Sequence, residues 1–326
     1  MPLSVCFLMP TAKLIHPPGT LPAPHSPPVP ALPPYRRVRT TRLDVAYLEW
    51  NPQGQPTAVL LHGWPDSPAC WHAVAPQLAQ AGWRVLAPAL RGFAPTRFLD
   101  AATPRSGQLS ALGRDVLDLI DALRLPAPPV LAGHDWGARA AANACGLRAD
   151  AASHLVMLSV GYGTNDPRQP LALAQARNYW YHWFMATPRG AHALRHDRLA
   201  FTRMMWDTWA PAGWYAPADF GQAALAFAGD DWAEVVLHSY RHRWGLAEGD
   251  PAYAADEARL HPAPALAVPT LVLHGTQDSC NHPDTSAGRQ DLFLGRYARQ
   301  VLDGVGHFPP REAPQAVAGA ILRFCA

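Results

Sequence analysis

Residues 129–147 read PVLAGHDWGARAAANACGL, and their reading decides the fold. The opening run, PVLAGH (129–134), is apolar and short, as a strand buried on both faces would be. ARAAANACGL (138–147) has the composition of a helix. Between them lies Gly133-His134-Asp135-Trp136-Gly137. Glycines on both sides of a central residue allow a tight turn from strand into helix, which lifts the central side chain out of the turn. The lifted side chain here is a carboxylate, Asp135.

Working outward, the same alternation recurs. TAVLLHG (57–63), RVLAPAL (84–90), HLVMLSV (154–160), PTLVLHG (269–275) and RQVLDGVG (299–306) read as strands, and 37–50 as a first antiparallel pair. WHAVAPQLAQAG (71–82), 107–124 and 312–324 carry helical spacing. The alternation predicts an α/β fold: a mostly parallel, eight-stranded sheet with helices on both faces. It stops near Gly161. Residues 163–255 read as helical and rich in aromatics, with tryptophans at 180, 183, 206, 209, 214, 232 and 244. The expected organisation is a core of 35–162 and 256–326 with a helical cap, 163–255, inserted into it.

Residues 1–34 stand apart. Half of 17–34 is proline, which cannot donate the hydrogen bonds of helix or sheet, so an extended or disordered tail is expected. The apolar stretch before it precedes Lys13 rather than following a positive charge, which argues against a secretory signal. No apolar run is long enough to span a membrane. The net charge is +2, with no basic block, so nucleic acid gains no support as a partner. Cys6, Cys70, Cys145, Cys280 and Cys325 lack paired spacing and suggest reduced thiols in a cytoplasmic protein. The expected partner is a small-molecule substrate, and the chain a monomer or homodimer.

Three loops follow strands at the edge where ligands bind in open α/β sheets. A carboxylate at the elbow displaces at saturated carbon and gives an alkyl–enzyme ester, which points to epoxides or alkyl halides rather than esters or amides. The second loop, His62-Gly63-Trp64-Pro65-Asp66, offers the backbone N–H of Trp64 to an oxyanion, with that of Trp136 as the other donor. Asp66 or Ser67 can also cap the following helix. The third is a late pair: Asp278 in HGTQD (274–278) and His307 in GVGHFP (304–309). His307 would activate the hydrolytic water, and Asp278 would orient its ring. Asp284 and Asp303 are rivals for the acid. His238 and His242 have helical spacing, but no glutamate base or third ligand accompanies them, so neither a metal nor a cofactor is expected.

With these motifs, HGWPDS (62–67), PALRGFAPT (88–96), GHDWGARAA (133–141) and GVGHFPP (304–310), the chain resembles the epoxide hydrolases of the α/β-hydrolase fold from about Arg37 to Phe324. Ala89 departs from their usual aspartate. The resemblance implies two cap tyrosines that donate to the epoxide oxygen: Tyr181 in NYWYHWFM and Tyr240 in HSYRHRW, with Tyr179 and Tyr162 as alternates. A phenol of pKa about 10 can supply the proton an alkoxide leaving group needs. The alternative is a haloalkane or haloacetate dehalogenase, which shares the aspartate elbow. For that reading His182, Trp183 and Trp136 would bind halide. Arg139 matches one of two carboxylate-binding arginines, while Trp136 stands where the second would be. The expected substrate contacts are His62, Pro65, His182, Trp183 and Phe308, around an apolar or aromatic substrate.

Overall fold

The computed structural model describes residues 31–164, 166 and 168–326. Most of the expected proline-rich tail, with Cys6, lies outside the described residues. Leu32–Ala326 form one compact unit.

Among the described residues one sheet contains β1 (Arg36–Arg39), β2 (Leu43–Trp50), β3 (Thr57–Leu61), β4 (Arg84–Pro88), β5 (Arg97–Phe98), β6 (Val130–His134), β7 (His154–Leu158), β8 (Thr270–Gly275) and β9 (Tyr297–Leu302). Their order is β1-β2-β4-β3-β6-β7-β8-β9, with β5 pairing β2 off this path. The first pairings are antiparallel, and those from β4 through β9 are parallel. The expected eight-strand path is present. The extra strand, β5, is too short to carry a sequence period.

Side chains alternate across the sheet, as the pleat requires. Ala58 and Leu60 face α1 (Ala75–Gln80) and, at the chain end, Pro314–Phe324. Val59 and Leu61 face α2 (Leu109–Leu123) and α3 (Trp136–Leu147). The expected helix at 71–82 begins later. A 3-10 turn covers Pro68–Trp71, and α1 starts at Ala75 because Pro76 fits only a first helical turn. The last strand ends at Leu302 rather than 306. The chain turns at Gly304, whose φ of 71° suits glycine.

Register sets the site. Leu61 pairs with Gly133, and His134 with Leu158. Strands β3, β6 and β7 therefore end at one level, and their loops emerge side by side. Between β7 and β8 the described chain adds no strand. It runs through α4 (Leu173–Asn178), α5 (Trp180–Ala186), α6 (Pro188–His196), α7 (Arg198–Thr208), α8 (Pro217–Ala224), α9 (Asp230–Arg243) and α10 (Ala254–Leu260). These helices lie on the strand-end loops. Trp206 Nε1 of α7 donates to Pro65 O at 2.8 Å, and the His307 N–H donates to Trp209 O at 3.1 Å. After the last strand come α11 (Pro309–Glu312) and α12 (Pro314–Phe324).

Candidate active site

Asp135 has φ 47° and ψ −111°, a conformation L-residues rarely adopt. Close packing holds it there. A Cβ on Gly137 would lie 2.2 Å from Leu61 O, and one on Gly63 would lie 2.6 Å from Asp135 Cβ. Only glycine lets the β3 loop approach the elbow this closely. As a result the Trp64 N–H donates to Asp135 Oδ1 at 3.0 Å. Trp136 opens α3, so its N–H has no acceptor within the helix.

His307 lies beyond the second carboxylate oxygen, with Nε2 4.0 Å from Asp135 Oδ2. Its Nδ1 is 2.9 Å from Asp278 Oδ2. Asp278 is fixed in turn: its Oδ1 accepts from the N–H groups of Cys280 and Asn281, both at 2.8 Å. His274 Nε2 stands 3.3 Å from Oδ2. Burial works against charge on both partners, yet attraction wins. It holds His307 well above the ordinary histidine range, and Asp278 below the usual carboxylate range. The rival acids lie elsewhere: Asp284 is exposed beside His282, and Asp303 is exposed beside Thr276.

A buried ion pair ties two of the loops together. Arg311 of α11 forks onto Asp66 at 2.7 and 2.8 Å. Ser67, rather than Asp66, caps the 3-10 turn by accepting from the Ala69 N–H.

Tyr181 and Tyr240 come from different helices and meet against Trp64, whose N–H binds the Asp135 carboxylate. Their rings are 5.4 Å apart, and each packs on Trp64, at 5.5 and 5.3 Å. The Tyr240 oxygen accepts from Trp136 Nε1 at 3.1 Å, which leaves its own proton without a protein acceptor among the described residues. The Tyr181 oxygen meets only the Cys280 thiol, at 3.4 Å. Burial pushes both phenols well above their ordinary range. The alternates are committed: Tyr179 donates to Asn281 Oδ1 at 2.7 Å and Tyr162 to Pro264 O at 2.6 Å.

Two expected substrate contacts need correction. His62 is fully buried with both nitrogens engaged. It accepts from the Leu90 N–H through Nε2 at 3.1 Å, and so donates through Nδ1 to Gly63 O at 3.0 Å. Burial lowers it to about 4, so it is a neutral strut for its loop. Trp183 is 39% exposed on the outer side of α5, its Nε1 donating to Ala176 O. Pro65 and His182 are buried. Phe308 is buried, stacked on Trp214 at 4.5 Å.

Sequence reasoning missed Trp209, whose ring stands edge-on to His307 at 5.1 Å and 4.9 Å from Tyr181. It also missed Cys280 beside Tyr181, and Arg243, whose guanidinium lies 4.7 Å over the Tyr240 ring. Cys280 had a signal, two residues past the acid. Trp209 was one of many aromatics.

Comparison with known proteins gives the family. The α/β hydrolase fold family profile matches residues 56–314, and the chain belongs to that family, in its epoxide-hydrolase group; it is a hydrolase. Epoxide hydrolase A of Mycobacterium tuberculosis is 27% identical, over 89% of this chain and 96% of its own length. A haloalkane dehalogenase of Mycobacterium marinum is 28% identical, over 73% and 74%. A crystal structure of a Klebsiella pneumoniae protein, provisionally assigned as an epoxide hydrolase, superposes with TM-score 0.83 at 35% identity. It covers 89% of this chain and 97% of that one.

Proposed function

We propose that the chain hydrolyses epoxides to vicinal diols through a covalent ester of Asp135. One carboxylate oxygen attacks an epoxide carbon and the ring C–O bond breaks. The departing oxygen takes a proton from Tyr240 or Tyr181. In the second half, His307 removes a proton from water, and the hydroxide adds to Cγ of the ester. The Trp64 and Trp136 N–H groups hold the resulting oxyanion. Collapse expels the product oxygen, which takes the proton from His307. Asp135 is left as the acid and gives its proton to solvent, while a solvent proton restores the phenol, so the sum is epoxide plus water giving diol.

The charge logic of His307 supports this order. Asp135 and Asp278 both favour imidazolium in the resting enzyme. Esterification removes the Asp135 charge, so the imidazole becomes a base when one is needed. The helical stretch 163–255 acts as the cap that carries the tyrosines and excludes water.

The observation that carries the reading is the Tyr240 phenol, which accepts from Trp136, has no protein acceptor for its own proton among the described residues, and packs on Trp64, whose N–H binds Asp135. Halide departure needs no proton. Two of the three groups a halide would use are engaged, Trp136 Nε1 with Tyr240 and Trp183 Nε1 with Ala176 O, which leaves His182 Nε2 alone. A paired screen tests it. Styrene oxide should give its diol, and matched alkyl bromides no halide. Halide release without any diol would reject the reading in favour of a dehalogenase.

A further inference from the structure

We propose that this site selects an epoxide carrying a carboxylate, held by Arg139 and Arg243 within a few bonds of the ring that opens. The inference rests on the reading above and specifies its substrate class.

The two arginines flank the proposed machinery. Arg139 lies one turn of α3 beyond Asp135, and Arg243 one turn of α9 beyond Tyr240. Arg139 is 7% exposed. The Arg243 guanidinium lies over two rings, 4.7 Å from that of Tyr240 and 5.5 Å from that of Trp136. Their hydrogen bonds go to neutral hydroxyls: Arg139 Nη1 to Thr164 Oγ1 and Arg243 Nη2 to Ser239 Oγ, each at 3.2 Å.

Neither forms an ion pair among the described residues, and the remaining residues contain no acidic side chain. The contrast with their neighbours is sharp. Arg91 and Arg311, whose side chains are also shielded, each fork onto an aspartate, whereas Arg139 is buried and Arg243 partly buried with no such partner. A shielded cation left unpaired is costly, so arginines in such places normally have a partner. At the rim, Asp166 is taken by Arg168, and Asp284 is exposed beside His282.

Three shielded donors point to the missing partner. Arg139 Nε, Arg243 Nε and His182 Nε2 make no hydrogen bond. His182 accepts from Trp244 Nε1 through Nδ1 at 3.2 Å. Burial, then the two arginines, hold it well below its ordinary range, so it is neutral and its Nε2 carries the proton. Burial and the like charge of Arg139 also lower Arg243. An anion between the two would reverse that effect.

A cavity of about 440 Å³ opens on the Arg243 side, lined by Thr164, Asp166, Tyr179, His182, Arg243 and Asp284 among others, while Arg139 lines a smaller adjoining pocket with Asp166. A planar carboxylate can accept from both guanidiniums and the imidazole together. Arg243 also occupies the space above Trp136, the position whose side chain cannot itself bind an acid.

Matched substrates test the proposal. 3-Phenyloxirane-2-carboxylate should exceed its carboxamide in kcat/KM by at least about tenfold, and styrene oxide serves as the neutral reference. Arg243→Gln and Arg139→Gln should each lower the acid-to-amide ratio by about tenfold, mainly through KM. Arg243→Lys should keep more of it than Arg243→Gln. A ratio near one, or a ratio untouched by either glutamine variant, overturns the inference while leaving epoxide hydrolysis standing. Turnover of none of the three epoxides overturns the proposed function instead. The anion site is then read by calorimetry on Asp135→Asn. Phenylacetate should bind at least about tenfold more tightly than phenylacetamide, and equal affinities overturn it.

Discussion

At the scale of single residues, the proposed chemistry depends on where protons are held before substrate arrives. Tyr240 keeps a transferable proton because its oxygen is already an acceptor for Trp136. Tyr240→Phe should therefore lower kcat for epoxide opening by about 10²-fold or more, the usual worth of a positioned acid. Stopped-flow tryptophan fluorescence would separate alkylation from hydrolysis, and only alkylation should slow. The His307–Asp278 pair predicts a pH dependence of the other step. Hydrolysis needs neutral imidazole, and Asp278 holds His307 well above its ordinary range. The rate of ester hydrolysis should rise with pH as His307 loses its proton, at a value that Asp278 still raises in the ester. Asp278→Asn removes the attraction, so the acid limb should move to lower pH while the maximal rate falls. A limb that stays in place would assign it to another group.

At the scale of elements, the site is an agreement between loops that leave the sheet at one level. The Asp66–Arg311 fork joins the loop that bears the Trp64 N–H to the one that bears His307. Both side chains are shielded, so losing one strands the other. Arg311→Ala should destabilise the fold by about 3–5 kcal/mol in urea unfolding. The double variant Arg311→Met, Asp66→Leu should recover most of it. The elbow is as demanding. Gly137→Ala places a methyl against Leu61 O, so it should displace Asp135 and abolish turnover in whatever protein folds.

These loops were legible in the sequence because a motif that follows a strand is placed by that strand. Gly-x-Asp-x-Gly after PVLAGH, and His307 after the last strand, carry their own addresses. Side chains on the inserted helices carry none. Tyr181 and Tyr240 were reached through resemblance, whereas Trp209 and Arg243 depend on the angle at which α7 and α9 cross the core. Periodicity does not encode that angle. The same gap explains His62 and Trp183. The sequence places them near the pocket, but which way each ring turns is decided by hydrogen bonds to Leu90 N–H and Ala176 O.

At the scale of the whole molecule, buried histidines should govern stability against pH. Burial lowers His62 and His134 from 6.5 to about 4. Between those values the unfolded chain binds protons that the folded one refuses, so stability should fall as pH drops from about 6.5 towards 4. His307 acts in the opposite direction. Its pKa is raised by folding, so its contribution is full below 6.5 and is lost as pH climbs through the folded value. Thermal melts across this range should show a maximum near neutrality. The acid arm should shrink in a His134→Gln variant. Among the described residues no helix is long and apolar enough to cross a membrane.

The most direct measurement is a single turnover, with enzyme in excess over epoxide, in ¹⁸O-enriched water. An Asp135 ester cleaved at its carboxyl carbon predicts that the peptide bearing Asp135 gains one heavy oxygen and that the diol gains none. An unlabelled peptide with a diol labelled from solvent would mean that water attacks the epoxide directly, and would contradict the account.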